Sequence, residues 1–125
     1  MNFINTQVNT NTIMQTTLKN KLLFDGIGIH SGKAVKMSVE PAKPNTGIIF
    51  ERVDLDCNNL IKSIIDNVED SKLCTKITND HGISVSTIEH LMATFNGLKI
   101  DNAIIKINAP ELPAMDGSAS DYTKK

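Results

Sequence analysis

The chain has no tryptophan, and aromatic residues make up only 4% of it. That sparsity removes the stacking platforms on which single-stranded nucleic-acid binders rely. Neither sign of charge is in excess, since 13 basic residues face 14 acidic ones for a formal net charge of -1. No electrostatic footprint for nucleic acid or for an anionic membrane surface follows from such a balance. Cysteine is scarce: Cys57 and Cys74 form no CxxC pair. Reduced thiols are therefore expected rather than a disulfide framework. No basic segment followed by an apolar run stands at the start, so no secretory signal is expected. No stretch reaches the roughly 20 apolar residues that span a bilayer. These absences leave a soluble, cytoplasmic protein with no nucleic-acid partner and no transmembrane segment.

What is present is ordinary globular material. Of 125 residues, 40% are hydrophobic and 22% charged, and a chain of this length buries roughly two-thirds of its unfolded surface without staples. Residues 1–13 are rich in Asn and Thr, lack periodicity and read as a loose extension. Patterned sequence begins at Met14, and residues 14–125 read as one domain. Asp25-Gly26-Ile27-Gly28 marks a bend or bulge. Val35, Met37 and Val39 alternate with Lys36, Ser38 and Glu40, the period of a half-buried strand, and Thr46 to Val53 reads as its hairpin partner. Strand-like segments follow near Ile61 to Val68, Leu73 to Thr78 and Ile83 to Val85, with turn chemistry at Asn79-Asp80-His81-Gly82. Ala103, Ile105 and Ile107 alternate again.

One helix is marked by Ile88, Leu91, Met92 and Phe95, which fall at i, i+3, i+4 and i+7 as one apolar stripe. Ser86 with Glu89 fits a capping box, and Gly97 fits the C-terminal cap. Asp116-Gly117-Ser118 reads as the entry to a second helix, with Asp116 as its N-cap. Several strands, then a helix, a strand and a helix, give an α+β class: a two-layer sandwich of a mixed or antiparallel sheet with helices on one face.

Glu89 and His90 are adjacent on that helix. At about 100° per residue, His90 points roughly 150° away from the apolar stripe. Its neighbours on that face are Ala93, Thr94 and Gly97, all small enough to let another backbone or a ligand approach. The residues alone leave two readings open, a solvated surface pair or a site, and Glu89 also fits the cap. A catalytic zinc needs three protein ligands plus an open position. Only His30, His81 and His90 are available as histidines, and no H-x-x-x-H spacing links them. His30 lies in Gly26-Ile27-Gly28-Ile29-His30-Ser31-Gly32, where glycines suit a tight strand connection or a ligand edge. Strand pattern follows it, which argues against a dinucleotide site. His81 reads as an exposed turn residue.

A set of ordered blocks carries a resemblance. They are Thr17-Leu18-Lys19, Gly26-Ile27-Gly28-Ile29-His30-Ser31-Gly32, Pro44-Asn45-Thr46-Gly47-Ile48, Leu73-Cys74-Thr75 and Ser86-Thr87-Ile88-Glu89-His90-Leu91. Two more follow: Gly97-Leu98-Lys99-Ile100-Asp101-Asn102, and the run from Asn108-Ala109-Pro110-Glu111-Leu112-Pro113 to Ala114-Met115-Asp116-Gly117-Ser118-Ala119. Together they resemble the amino-terminal domain of the zinc-dependent UDP-3-O-acyl-N-acetylglucosamine deacetylase family of lipid A synthesis. The resemblance implies an α+β sandwich that pairs with a second domain of similar architecture, absent from these 125 residues. It implies a zinc ligand at His90, a general base at Glu89, and Leu73, Cys74 and His30 near the UDP-sugar lipid substrate. The remaining zinc ligands, a His and an Asp, and a general-acid His belong in that family to the second domain. An isolated chain is then expected to be inactive. The alternative is an interaction module, or half of a split enzyme, whose helix face docks a separately encoded second domain.

Overall fold

The computed structural model describes residues 3–7, 14–28, 30–70 and 74–114. In chain order the strands are β1 (Phe3–Gln7), β2 (Met14–Leu18), β3 (Leu22–Gly28), β4 (Ala34–Pro41), β5 (Ile48–Arg52) and β6 (Leu60–Lys62). After a 3-10 turn at Ile65–Asn67 come β7 (Val68–Asp70), β8 (Thr75–Thr78) and β9 (Ser84–Ser86), then helix α1 (Glu89–Leu98), β10 (Ala103–Ile107) and β11 (Pro113–Ala114). The main sheet runs β11-β3-β4-β10-β5-β6, and β7-β8-β9 form a smaller one. Every pairing is antiparallel except β10 with β5. A mixed sheet with one helix against it is the expected α+β class.

Period-2 patterning does what the sequence implies. Val35, Met37 and Val39 are at most 2% exposed, and Ala103, Ile105 and Ile107 are fully buried. These rows join Phe50 and Ile61 of the same sheet and the helix stripe of Ile88, Leu91 and Phe95 in one apolar cluster. Each such side chain contributes roughly 1.5–3 kcal/mol by leaving water. The helix is thus pinned by its stripe, and its opposite face is turned outward. Arg52 ties the main sheet to the β7-β8-β9 sheet. Its guanidinium donates to Asp54 through Nε at 2.9 Å and Nη2 at 2.6 Å, and to the Ser84 carbonyl through Nη1 at 3.0 Å. Those bonds hold the Asp54 carboxyl below its ordinary value despite partial burial. No helix among the described residues is long and apolar enough to cross a membrane.

Five local expectations are corrected. Thr46 to Val53 is not the hairpin partner of β4, because β10 lies between β4 and β5. Placing the chain's most apolar strand centrally buries both of its edges, a long-range gain that local turn signals cannot register. Asp25 to Gly28 is no bend but the end of β3. Its glycines are needed because a Cβ on Gly26 would lie 2.7 Å from Pro113 Cβ, and one on Gly28 would overlap Glu111 Oε1. Ser86 and Glu89 make no capping box. The N-cap is Ile88 without a side-chain cap bond, and the Ser86 hydroxyl donates to the Pro110 carbonyl at 3.3 Å. The left-handed C-cap is Lys99, at φ 58°, rather than Gly97. Finally, Phe3–Gln7, inside the segment expected to be loose, pair with β2 in antiparallel register. Backbone ladders need no apolar period, only an open strand edge. The second helix expected from Asp116 lies outside the described residues.

Candidate active site

Helix α1 begins under strain. Thr87, two residues before it, has φ 62°, a left-handed conformation that a β-branched residue rarely adopts. Two bonds hold it there: the Thr87 and Ile88 amides both donate to the Thr75 carbonyl, at 2.8 and 3.4 Å. The strained turn swings the chain from β9 into the helix so that Ile88 and Leu91 enter the core while His90 stays exposed.

Two polar atoms at this turn are buried yet have no hydrogen-bond partner among the described residues: Thr87 Oγ1 and Glu89 Oε1. Buried acceptors are nearly always paired, and leaving one unpaired costs about 1–3 kcal/mol. The strained Thr87 and the unpaired Glu89 oxygen thus lie within three positions of the exposed His90. The Glu89 carboxylate also sits in the first helical turn, where the helix dipole favours negative charge. Glu89 makes no side-chain cap bond to the helix start.

The small-residue face differs in part from expectation. His90, Ala93 and Gly97 are exposed, but Thr94 is buried at 4%. Its hydroxyl turns back to donate to the His90 carbonyl at 3.0 Å.

His30 reaches the same neighbourhood through a residue given no individual role by sequence reasoning. Glu111 is 4% exposed. Its Oε1 accepts the His30 and Ser31 backbone amides, each at 3.0 Å, and its Oε2 lies 2.9 Å from His30 Nδ1. Burial opposes charge on Glu111, but these bonds outweigh it and hold the carboxyl below its ordinary value. The backbone of Glu111 bridges to Ser86, with the Ser86 amide donating to Pro110 at 2.8 Å and the Leu112 amide donating to Ser86 at 3.1 Å. The His30 loop is thereby fastened to the strand that leads into Glu89 and His90. Thr75, which anchors the strained turn, is preceded by half-buried Cys74. His30, Cys74, Glu89 and His90 are thus linked through Glu111, Ser86 and Thr75, while Leu73 lies outside the described residues. His81 is exposed in its turn, where Asn79 Oδ1 accepts its amide at 2.9 Å.

As a metal centre the arrangement is partial. No group of three or more His, Cys, Asp or Glu among the described residues could hold a metal ion. The exposed imidazole of His90 would fit a single ligand position, with the Glu89 carboxylate adjacent to it in sequence.

Comparison with known proteins bears directly on this geometry. Residues 15–125 match the family described as "LpxC: UDP-3-O-acyl N-acetylglycosamine deacetylase". The chain is 46% identical over 110 residues to a UDP-3-O-acyl-N-acetylglucosamine deacetylase of Haemophilus influenzae (strain 86-028NP). It is 47% identical over 110 residues to the protein of that name from Shewanella sediminis (strain HAW-EB3). Each alignment covers 88% of this chain and 36% of the relative, so the chain spans about a third of the length of the curated relatives it matches. With nearly the whole chain inside the matched region, it belongs to the UDP-3-O-acyl N-acetylglycosamine deacetylase family.

Proposed function

We propose that these residues form the amino-terminal part of a cytoplasmic, zinc-dependent deacetylase. It hydrolyses the acetamide of UDP-3-O-acyl-N-acetylglucosamine in lipid A synthesis. The observation that carries the reading is the buried, unpartnered Oε1 of Glu89 beside the exposed imidazole of His90. His90 supplies one metal ligand, and the remaining ligands come from a second domain that completes the family's length. A zinc ion held there would polarise the amide carbonyl and lower the pKa of water. Glu89 takes the proton from the attacking water, a role that the unpaired Oε1 leaves open to it. Leu73 and Cys74 line the approach, and His30 contacts the substrate. Because amide hydrolysis needs the assembled set, the 125 residues alone are inactive.

Metal content together with activity tests this reading. The purified chain should hold no stoichiometric zinc after dialysis and release no acetate. Mixing it with a polypeptide carrying the rest of a family member's sequence should restore both. Stoichiometric zinc and turnover in the isolated chain would overturn the division of ligands, and a mixture that never gains activity would overturn the deacetylase reading.

A second reading is supported by the exposed Ala93 and Gly97 beside His90, a close-approach surface suited to docking a separately encoded domain. Complex formation in sedimentation without zinc uptake or acetate release would favour this interaction module over the enzyme.

A further inference from the structure

Glu111 is a buried carboxylate whose interactions all point one way. It makes no bond to a Lys or Arg side chain among the described residues. Its oxygens are met by two successive loop amides, the Ser31 hydroxyl and one imidazole nitrogen. The amides of His30 and Ser31 are the donors with which this glycine-flanked loop could have cradled a phosphate. An internal carboxylate already occupies them, so the loop is not an anion nest. What the loop presents outward is the His30 ring, with its side chain 44% exposed while that of Glu111 is 5% exposed. The closeness of the fit is visible at Gly28. A Cβ there would overlap Glu111 Oε1 and come within 2.6 Å of Ser31 Oγ.

We infer that Glu111 is the positioning residue for His30: it fixes the loop backbone and claims Nδ1, leaving Nε2 as the nitrogen offered to a ligand. An ionised carboxylate can only accept, so the neutral ring keeps its proton on Nδ1. Nε2 then carries a lone pair and takes a hydrogen-bond donor, such as a sugar hydroxyl or an amide N–H. Because the Glu111 backbone also bridges Ser86, the same residue sets the ring's placement relative to the start of α1. That His30 meets substrate rests on the deacetylase reading above. The ring tautomer does not.

The 15N-labelled chain, studied by long-range proton–nitrogen correlation above the ring's titration range, tests the tautomer directly. His30 should show the Nδ1–H pattern. Glu111→Gln should abolish it in favour of the Nε2–H form that free imidazole prefers, with His81 and His90 unchanged. An Nε2–H ring in the unmodified chain, or no change in a folded Glu111→Gln variant, overturns the inference. If that variant fails to fold, the unmodified chain decides alone: an Nδ1–H ring at His30 supports the inference, and an Nε2–H ring overturns it.

In the mixture with the remaining family sequence, Glu111→Gln should lower kcat/KM roughly 10- to 100-fold, as loss of a partner that orients a ligating histidine does. Combined with His30→Gln, it should cost nothing further. Fully additive losses would overturn the inference. Absence of activity in every mixture, with the Nδ1–H signature intact, would overturn the deacetylase reading and leave the positioning role standing.

Discussion

Two carboxylates flank the same strand end, and they are treated in opposite ways. Glu111, bridged to Ser86 through its backbone, is buried and saturated with donors. Glu89, three residues beyond Ser86, keeps one buried oxygen without a partner, next to a residue held at φ 62° that also has an unpaired hydroxyl. The saturated carboxylate is architecture, because every bond it makes lowers the free energy of the fold. The unsatisfied one opposes folding by about 1–3 kcal/mol and persists only because the core around Leu91 and Phe95 holds the helix in place. The two carboxylates thus differ in whether the fold supplies donors to their buried oxygens.

The largest effect that would break or sharpen this contrast is on rate. Glu89→Gln in the assembled enzyme should lower kcat roughly 10²- to 10⁴-fold while leaving metal content unchanged. The stability of the folded chain should move by no more than about 0.5 kcal/mol. A clear loss of stability in denaturant titration would make Glu89 structural and erase the distinction.

Gly28→Ala should do the reverse. Its Cβ collides with Glu111 and Ser31, so a destabilisation of about 1–3 kcal/mol is expected from overpacking, measurable by urea unfolding.

Glu111→Gln should cost about 1–3 kcal/mol near neutral pH, because the loop amides then donate to a neutral amide oxygen in place of a charged carboxylate. This deficit depends on pH with a definite sign. The folded-state carboxyl is held below its ordinary value of 4.5. Its contribution is therefore complete above that value and lost as pH falls through the lower folded-state value. Stability curves of the parent chain and the variant should converge on acidification below about 4.5. Curves that stay parallel would show that the carboxylate charge is not what matters.

The smallest effect is expected at Thr87. Thr87→Gly relieves a strain of order 1–3 kcal/mol and removes an unpaired hydroxyl, against an entropic cost of roughly 0.5–1 kcal/mol for glycine. A net gain of about 1 kcal/mol in thermal unfolding, with reduced activity in the assembled enzyme, is the expected trade. A net loss would mean that the hydroxyl is part of the scaffold.

Much of the fold was legible locally. The alternation of Val35, Met37 and Val39, that of Ala103, Ile105 and Ile107, and the stripe of Ile88, Leu91 and Phe95 each declared a buried face that the structure confirms. The outward direction of His90 followed from the same helical period. The capping box was misleading because Ser86 belongs to a strand edge. Its hydroxyl is drawn to Pro110, which is 24 positions away in sequence. Glu111 was visible only as part of a motif. Its bonds to His30 and Ser31 join residues 81 and 80 positions apart, and no local period encodes such a separation.

The sequence by itself determined which residues turn inward, the α+β class, and the exposed face on which His90 meets solvent. Side-chain period is a property of the local backbone, and burial of apolar surface reads it directly. Only the tertiary structure decided that β10 separates β4 from β5, that Glu111 holds His30, and that Glu89 is left unpaired. Those outcomes depend on how strands distant in the chain compete for the same edges and donors, and that competition is resolved only when the whole sheet has closed.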